Sequence, residues 1–166
     1  NKGVVSEYMA QQMIQLANKN SVPVVVDPKG HTVSKYSGAT YITPNTNEFK
    51  ELTGLKNLEN DDEVIAKGQA LIKENNINYL ILTRSEKGMV VISIDGAQYY
   101  PTKAIEVSDV TGAGDTVVAA IAFGAAIQLD QKNIINFANY AAGVVVSKVG
   151  TATASIEEID AYESNF

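Results

Sequence analysis

The sequence predicts an α/β fold in which a Rossmann-like, mainly parallel sheet is flanked by helices. Two continuous runs of apolar residues, at positions 22–26 and 79–83, are typical of strands buried on both faces of a parallel sheet. Segments with helical spacing of apolar residues lie between and after these runs. This alternation implies layers of helices packed on a sheet, joined by right-handed crossovers.

Composition narrows the class of protein. The chain has 166 residues, 45% hydrophobic and 19% charged, as in one ordinary globular domain. A net charge of -6, with Arg84 as the only arginine, argues against a nucleic-acid or anionic-membrane partner. Cysteine is absent, which excludes disulfides and thiolate metal sites, and no stretch resembles a membrane span or signal peptide. We expect a soluble, cytoplasmic protein.

The first predicted helix covers residues 6–18, with Ser6 as its N-cap. Its apolar residues have helical spacing and predict a face buried in the core: Met9, Met13, Ile14, Leu16 and Ala17. The strand at residues 22–26 follows and ends in Asp27-Pro28-Lys29-Gly30. Ligands bind at the carboxyl ends of parallel strands, so Asp27 and Lys29 are candidate substrate-binding residues, although a Pro-Gly turn with solvated charges explains them equally well.

The middle of the chain continues the alternation. A short strand at 40–42 precedes a helix that ends at Gly54, where Asn45 and Glu48 have the spacing of a capping box. The next helix covers 61–75, and its acidic first turn complements the helix dipole. The strand at 79–83 leads to a hairpin in which Asp95-Gly96 predicts a type I′ turn.

The loop at residues 109–115 (Asp-Val-Thr-Gly-Ala-Gly-Asp) is the strongest functional signal. Its glycines expose backbone N–H groups at the start of an apolar helix predicted for 114–127, where the helix dipole favours an anion such as phosphate. The spacing matches neither a P-loop nor a Rossmann fingerprint. Asp115 is either a helix cap or a general base, and Asp109 with Thr111 adds oxygen ligands. A last helix, 132–148, has small residues that allow close packing.

Residues 109–115 resemble the second signature of the ribokinase-like (PfkB) carbohydrate kinases, and the similarity extends over nearly the whole chain. The segments at 27–30, 36–40, 43–45, 83–86 and 137–139 are most similar to the heptose-7-phosphate kinase half of bifunctional ADP-heptose synthases. The resemblance implies a ribokinase-like fold and ATP-dependent phosphorylation of a sugar phosphate, on the route to ADP-heptose and lipopolysaccharide. Another sugar, a nucleoside or a pyridoxal-like alcohol stays open as the acceptor.

The resemblance also implies roles for single residues. Asp115 is the expected catalytic base, and the amides of Gly112, Ala113 and Gly114 form an anion hole for the transferred phosphoryl group. Glu48 is expected to organise Mg²⁺ with ATP, and Asp109 and Thr111 to help bind a monovalent cation such as K⁺. The expected nucleotide-binding residues are Asn45, Thr46, Asn47, Glu48, Thr83, Ser85, Gly88, Asn139 and Gly143. Ser85 stands where the family has a glycine, which puts close backbone approach to the nucleotide in doubt there.

The chain begins at Asn1, and the Lys-Gly-Val-Val at residues 2–5 resembles the middle of the family's sequence. We therefore expect residues 1–166 to be the C-terminal, nucleotide-binding half of a sugar kinase domain. Its expected partners are ATP, a sugar phosphate, the N-terminal half of the domain and a second copy in a homodimer. The competing hypothesis is a nucleotide-binding, dimerising fragment without catalysis of its own, and we expect the isolated chain to have little activity.

Overall fold

The computed structural model describes residues 5–166, so most of the Lys-Gly-Val-Val segment lies outside the described residues. The regular elements, in chain order, are α1 (Glu7–Lys19), β1 (Val25–Val26), β2 (Tyr41–Ile42), α2 (Thr46–Thr53), α3 (Asp61–Glu74), β3 (Tyr79–Thr83), β4 (Met89–Ser93), β5 (Gly96–Tyr100), α4 (Ala113–Ala126), α5 (Gln131–Val146) and α6 (Ile156–Glu163). Single 3-10 turns lie at Ser34–Tyr36 and Ser85–Lys87. Between residues 5 and 166, every helix is too short or too polar to cross a membrane.

The chain divides into two compact units. Unit 1 comprises residues up to 84 together with 90–99, and unit 2 comprises residues 85–89 and 100–166. The units are described separately below.

Unit 1 is built on the sheet, whose strand order is β1-β2-β3-β4-β5. The first three strands are parallel, with Val25 opposite Tyr41 and Tyr41 opposite Tyr79. A two-residue turn joins β4 to β5, which makes them a hairpin. Helices α2 and α3 pack against this sheet, and the main core contains Val33, Ala39, Ile42, Phe49, Leu58, Val64, Leu71, Ile72, Ile77, Leu80, Leu82, Val90 and Ile92. The predicted α/β class and the parallel strands are confirmed.

The strand predicted at residues 22–26 is shorter and less buried than expected. Only Val25–Val26 is regular strand, both residues are half-buried, and Val22 is 52% exposed. The reason is position: β1 ends the strand order, so within the described part of the chain one of its edges has no neighbouring strand. The prediction of a strand buried on both faces is therefore wrong for this structure.

The predicted core face of α1 is also wrong in part. Ala10 and Ile14 are buried, whereas Met9, Met13 and Leu16 are exposed, Met13 by 64%. The small cluster of Ala10, Ile14 and Tyr36 covers only one side of the helix's apolar sector. Helical spacing correctly grouped the apolar residues of α1, but unit 1 covers only the part of that face around Ala10 and Ile14.

The turn between β4 and β5 also differs from the prediction. A type I′ turn centred on Asp95-Gly96 requires positive φ at both residues. Asp95 does not have positive φ, and Gly96, at φ 151°, is the first residue of β5. The structure confirms the predicted hairpin, but the prediction of a type I′ turn at Asp95-Gly96 is wrong.

Unit 2 is a helical layer in which α4 packs on α5. A Cβ built on Gly124 would lie 3.0 Å from the Ile134 side chain, so the glycine permits this close approach. The sequence-based prediction missed α6, although Ser155 and Glu158 form a capping box at its start. The Ser-x-x-Glu spacing was the signal that could have located this helix.

Candidate functional site

Two strand ends in unit 1 bring three charged side chains together. Asp27 and Lys29 follow β1, and Glu48 lies in the first turn of α2, which follows the neighbouring strand β2. The Lys29 Nζ lies 2.9 Å from Asp27 Oδ2 and 2.6 Å from Glu48 Oε1. The carboxyl ends of these parallel strands therefore carry an ion-paired cluster, as expected for a ligand-binding edge of an α/β sheet.

The Glu48 carboxylate also completes a capping box. Asn45 Oδ1 accepts hydrogen bonds from the N–H groups of Asn47 at 2.9 Å and Glu48 at 3.0 Å. Glu48 Oε2 accepts one from the Asn45 N–H at 2.9 Å. One carboxylate oxygen thus caps α2 while the other pairs with Lys29, and the predicted capping box is confirmed.

The pKa of Lys29 is raised above its ordinary value. Partial burial by itself lowers this pKa, but hydrogen bonds and charge attraction from Glu48 and Asp27 outweigh it. Lys29 is therefore a cation over the physiological range, and it neutralises part of the charge of two carboxylates.

The donor set of this cluster suits magnesium held mainly by a nucleotide. Magnesium usually takes one or two carboxylates and completes its shell with phosphate oxygens and water. Glu48 and Asp27 supply two carboxylates, and residues 5–166 contain no group of three or more His, Cys, Asp or Glu side chains arranged for a metal. The cluster fits a nucleotide-bound ion better than an all-protein site.

Three further residues expected at the nucleotide lie beside this cluster in unit 1. The Thr46 hydroxyl donates to the Thr83 carbonyl at 3.3 Å, and the Thr83 N–H donates to Pro44 at 3.1 Å. An isolated bridge pairs Asn45 with Thr83, and Asn47 is exposed. These contacts fasten the end of β3 to the start of α2, and binding of a nucleotide there stays a prediction.

The glycine loop of unit 2 begins α4 as the sequence predicts. Gly112 is the N-cap residue at φ 82°, a left-handed conformation that glycine adopts without strain. The Ala113 N–H is engaged by the Val110 carbonyl at 3.2 Å, so it is not free as predicted. The N–H groups of Gly112, Gly114 and Asp115 find no protein acceptor within residues 5–166, and Asp115 is exposed.

This geometry suits an anion beside an accessible base. Unpaired N–H groups at the N-terminus of a 14-residue helix attract negative charge. An exposed carboxylate in the first turn of the same helix is reachable by a second substrate. An anion site beside a carboxylate that can accept a proton is an arrangement that can serve the transfer of a phosphoryl group to a hydroxyl.

Asp109 ties the glycine loop to the loop after α5. Its Oδ1 accepts from the Thr111 N–H at 2.9 Å and its Oδ2 from the Gly150 N–H at 3.1 Å. Hydrogen bonds from the Thr111 hydroxyl and then from the Thr111 and Gly150 N–H groups lower the pKa of Asp109. The carboxylate is charged at neutral pH, and its part in a monovalent-cation site stays a prediction.

Ser85 and Gly88 both have left-handed backbones. Ser85, which replaces a family glycine, has φ 49° and so retains a glycine-like conformation. Gly88 has φ 79°, and a Cβ there would lie 2.1 Å from the Tyr100 carbonyl oxygen. The backbone approach that requires glycine at position 88 is thus to residues 100–102, and contact with a nucleotide at Ser85 or Gly88 stays a prediction.

Asn139 and Gly143, expected at the adenine, have protein partners in unit 2. Asn139 is buried; its Nδ2 donates to Pro101 at 2.7 Å, and its Oδ1 accepts from the Lys103 N–H at 3.3 Å. A Cβ on Gly143 would lie 2.8 Å from the Tyr162 ring. Sequence analysis missed Tyr162, which carries no motif and lies on the missed helix α6.

The sequence profile of the pfkB family carbohydrate kinases matches residues 2–159. Among curated relatives, the Bifunctional protein HldE of Proteus mirabilis is 46% identical over 160 residues, covering 96% of this chain and 33% of the relative. The protein of the same name in Aliarcobacter butzleri is 43% identical over 164 residues, covering 99% and 34%. The chain therefore spans about a third of the length of the curated relatives it matches.

Two solved structures show the same fold. A ribokinase from Arabidopsis thaliana, complexed with ribose and ATP, superposes with a TM-score of 0.85 at 21% identity, over 95% of this chain and 52% of the other. Phosphofructokinase-2 from Escherichia coli, complexed with potassium, superposes with a TM-score of 0.82 at 18% identity, over 97% and 53%. The predicted ribokinase-like fold is confirmed.

Proposed function

The chain belongs to the pfkB family of carbohydrate kinases, and from this premise we propose that residues 1–166 are the C-terminal, nucleotide-binding half of a sugar kinase domain. The complete domain transfers the γ-phosphoryl group of ATP to a sugar hydroxyl. The observation that carries the proposal is the exposed Asp115 next to the unpaired N–H groups of Gly112 and Gly114 at the start of α4.

In this mechanism Asp115 accepts the proton of the acceptor hydroxyl. The hydroxyl oxygen forms a bond to the γ-phosphorus while the bond from that phosphorus to the β–γ bridging oxygen breaks, and ADP leaves with the bond electrons. The N–H groups of Gly112 and Gly114 donate hydrogen bonds to the phosphoryl oxygens. Preorganised donors of this kind typically lower the barrier by about 2.7–4 kcal/mol each.

Glu48 is the residue we assign to Mg²⁺, which would supply charge neutralisation to the nucleotide phosphates when bound. Asp27 and Lys29 are the residues we assign to the substrate. The ammonium of Lys29 at 2.6 Å from Glu48 keeps these carboxylates together in the structure described above. Asp109 and Thr111 hold the glycine loop and are the residues we assign to a monovalent cation. Asn45, Thr46, Asn47, Thr83, Ser85, Gly88, Asn139 and Gly143 complete the proposed nucleotide-binding set.

The acceptor we propose is D-glycero-D-manno-heptose 7-phosphate, converted to the 1,7-bisphosphate. Support comes from the 46% identity to the Bifunctional protein HldE over nearly the whole chain. The competing proposal is a nucleotide-binding piece that is inactive alone, which the coverage of only about a third of each relative favours.

The test of the catalytic proposal is Asp115→Asn in the intact protein that contains this chain. We expect turnover to fall at least about a thousandfold while ATP affinity changes little, because the base is lost and the N–H donors remain. Asp160→Asn, an exposed carboxylate on α6, is the control and should leave turnover unchanged. An Asp115→Asn enzyme that keeps most of its activity rejects the base.

A substrate panel separates the acceptors. The intact protein is assayed with ATP and heptose 7-phosphate, fructose 6-phosphate, a nucleoside or pyridoxal, and kcat/KM is compared. We expect heptose 7-phosphate to have the highest kcat/KM. A higher value for another alcohol would support the kinase activity but reject heptose 7-phosphate as the acceptor. The 166-residue chain assayed alone should show little activity.

A further inference from the structure

One ammonium group in unit 1 holds two carboxylates that come from different loops. Lys29 Nζ lies 2.9 Å from Asp27 Oδ2, in the loop that follows β1, and 2.6 Å from Glu48 Oε1, in the first turn of α2. The ammonium therefore bridges the segments that follow two neighbouring parallel strands. One or two carboxylates are also the protein ligands with which a nucleotide-bound Mg²⁺ is usually held.

Both oxygens of the Glu48 carboxylate have partners within unit 1. Oε2 accepts the Asn45 N–H at 2.9 Å as part of the capping box, and Oε1 accepts from Lys29 at 2.6 Å. The capping hydrogen bond belongs to the start of α2, so only the Lys29 contact can be exchanged while the helix keeps its cap. A metal ion, or a water bound to it, that approaches Oε1 therefore competes with the Lys29 ammonium for the same oxygen.

The three side chains differ in exposure in the way that such an exchange requires. The Glu48 side chain is 17% exposed and the Asp27 side chain 33%, whereas the Lys29 side chain is 57% exposed. The carboxylates are the more buried groups, and the ammonium is carried on a flexible four-carbon stem. Lys29 can leave the carboxylate by rotation of its own side chain, because the Asn45 N–H still holds Glu48 in place.

The balance of charge determines when this exchange is favourable. Lys29 brings one positive charge to two negative charges, so the cluster has a small excess of negative charge. A divalent cation added beside the ammonium would reverse that excess, and like charges close together repel each other. A phosphate group changes this balance, because its oxygens accept hydrogen bonds from an ammonium and also supply ligands that Mg²⁺ prefers.

We propose that Lys29 is a resident counter-ion that excludes a free divalent cation from Glu48 and releases the carboxylate only when a phosphate group accepts the ammonium. Glu48 then becomes available to a metal only together with a phosphate ligand. The phosphate group belongs to the nucleotide or to a sugar phosphate, and the experiment below separates these two sources. The inference deepens the proposed function, on which it rests for the assignment of Glu48 to Mg²⁺. In this scheme Lys29 is a positioning residue that acts through Glu48.

The experiment measures binding of Mn²⁺, which carboxylates also bind, to the intact protein that contains this chain, without nucleotide and without turnover. Unbound Mn²⁺ is followed by its electron paramagnetic resonance signal. We expect Lys29→Met to bind Mn²⁺ at least about tenfold more tightly than the unsubstituted protein, because both carboxylates remain and the competing charge is lost. Adding Glu48→Gln to Lys29→Met should abolish this gain. Metal sites elsewhere in the intact protein are common to all variants, so the difference between variants reports on Glu48.

Two further variants control for charge and for side-chain shape. Lys67→Met removes one positive charge from an exposed position of α3 that has no ion pair within residues 5–166, and it should leave Mn²⁺ binding unchanged. Lys29→Arg keeps the charge and offers donors to both carboxylates, so it should bind Mn²⁺ as weakly as the unsubstituted protein. A disrupted fold would weaken metal binding, so tighter binding by Lys29→Met cannot result from misfolding.

Phosphate ligands test the release of the ammonium and identify the group that receives it. Metal-free ATP, kept in EDTA, and heptose 7-phosphate are titrated separately into the intact protein by calorimetry. The ligand that receives Lys29 should bind at least about tenfold more weakly to Lys29→Met, and with unchanged affinity to Lys67→Met. Weaker binding of ATP alone identifies the nucleotide as the receiver, and weaker binding of heptose 7-phosphate alone identifies the sugar phosphate.

Three results would overturn the proposal. The first is Mn²⁺ binding by Lys29→Met that is no tighter than binding by the unsubstituted protein or by Lys67→Met. The second is a gain in Mn²⁺ binding that persists when Glu48→Gln is added. The third is an unchanged affinity of Lys29→Met for both phosphate ligands, because the ammonium would then have no receiver. Tighter Mn²⁺ binding by Lys29→Met of a protein that phosphorylates no sugar would support the counter-ion role and reject the proposed function, so the two failures are distinguishable.

Discussion

Lys29 Nζ lies 2.6 Å from Glu48 Oε1, while the second oxygen of the same carboxylate accepts the Asn45 N–H at 2.9 Å. A single side chain therefore both caps α2 and carries the charge that we assign to magnesium. The capping hydrogen bond and the charge can be separated by substitution, because glutamine keeps an acceptor oxygen and loses the charge.

We expect Glu48→Ala to lower the free energy of unfolding by about 1 kcal/mol, since it removes the capping-box contact. Glu48→Gln should cost less than about 0.5 kcal/mol, because the Lys29 side chain is 57% exposed and solvent screens its pair with Glu48. Urea unfolding of the chain measures both. In the intact protein, both substitutions should raise the Mg²⁺ concentration needed for half-maximal turnover by a similar factor. An unchanged Mg²⁺ requirement in Glu48→Gln would contradict the assignment of the Glu48 charge to magnesium.

Asp109 predicts an acid-labile loop. Hydrogen bonds from Thr111 and Gly150 hold its pKa below the ordinary 3.8. A carboxyl with a depressed folded-state pKa stabilises the fold above its unfolded pKa, and this contribution is lost as pH falls through the folded value. Asp109→Asn should therefore be less stable at neutral pH but lose less stability as the pH falls through and below the ordinary Asp pKa of 3.8. Urea unfolding midpoints of the unsubstituted chain and of Asp109→Asn, measured across this pH range, test this prediction. If the two midpoints change with pH in the same way, Asp109 does not contribute to the acid sensitivity.

Gly88 predicts a steric effect that can be separated from its backbone angle. Gly88→Ala would put a Cβ 2.1 Å from the Tyr100 carbonyl oxygen. The free energy of unfolding should therefore fall by more than the cost of backbone strain alone, which is about 1–3 kcal/mol. Gly150→Ala is the matched control, because Gly150 has φ 77° but no atom within 4 Å of its Cβ position. Thermal unfolding measures the stability of both variants. Equal losses of stability would show that the structure moves to relieve the clash between the new Cβ and the Tyr100 oxygen.

Two tyrosines of unit 2 predict opposite results for the same substitution. The Tyr100 hydroxyl is buried with no partner in the described residues 5–166. Burying an unpaired polar group costs about 1–3 kcal/mol, so Tyr100→Phe should be neutral or stabilising. Tyr162 accepts from the Ile105 N–H at 2.9 Å and donates to the Lys103 carbonyl at 3.0 Å.

Tyr162→Phe should therefore destabilise, by about 0.5–1.5 kcal/mol for each hydrogen bond lost. Chemical denaturation of the two variants beside the unsubstituted chain is the measurement. Destabilisation by Tyr100→Phe would indicate that a water molecule satisfies its hydroxyl.

Local sequence determined the order and type of most elements. Apolar runs located β3, capping residues located the starts of α1 and α2, and glycine with its neighbours located the loop that begins α4. These features are decided by residues within a few positions of each other, through side-chain sterics, capping hydrogen bonds and backbone freedom. They remain readable without any knowledge of distant contacts.

Only the tertiary structure decided which apolar faces are covered and which distant residues meet. It placed Lys29 beside Glu48, put the Tyr162 ring against Gly143, and left Met13 exposed although its helical position was correctly predicted. Burial and pairing depend on surfaces that come from elsewhere in the chain or from another polypeptide. A periodic pattern of apolar residues indicates which face of a helix can be buried, and only the tertiary structure shows which of those residues are covered.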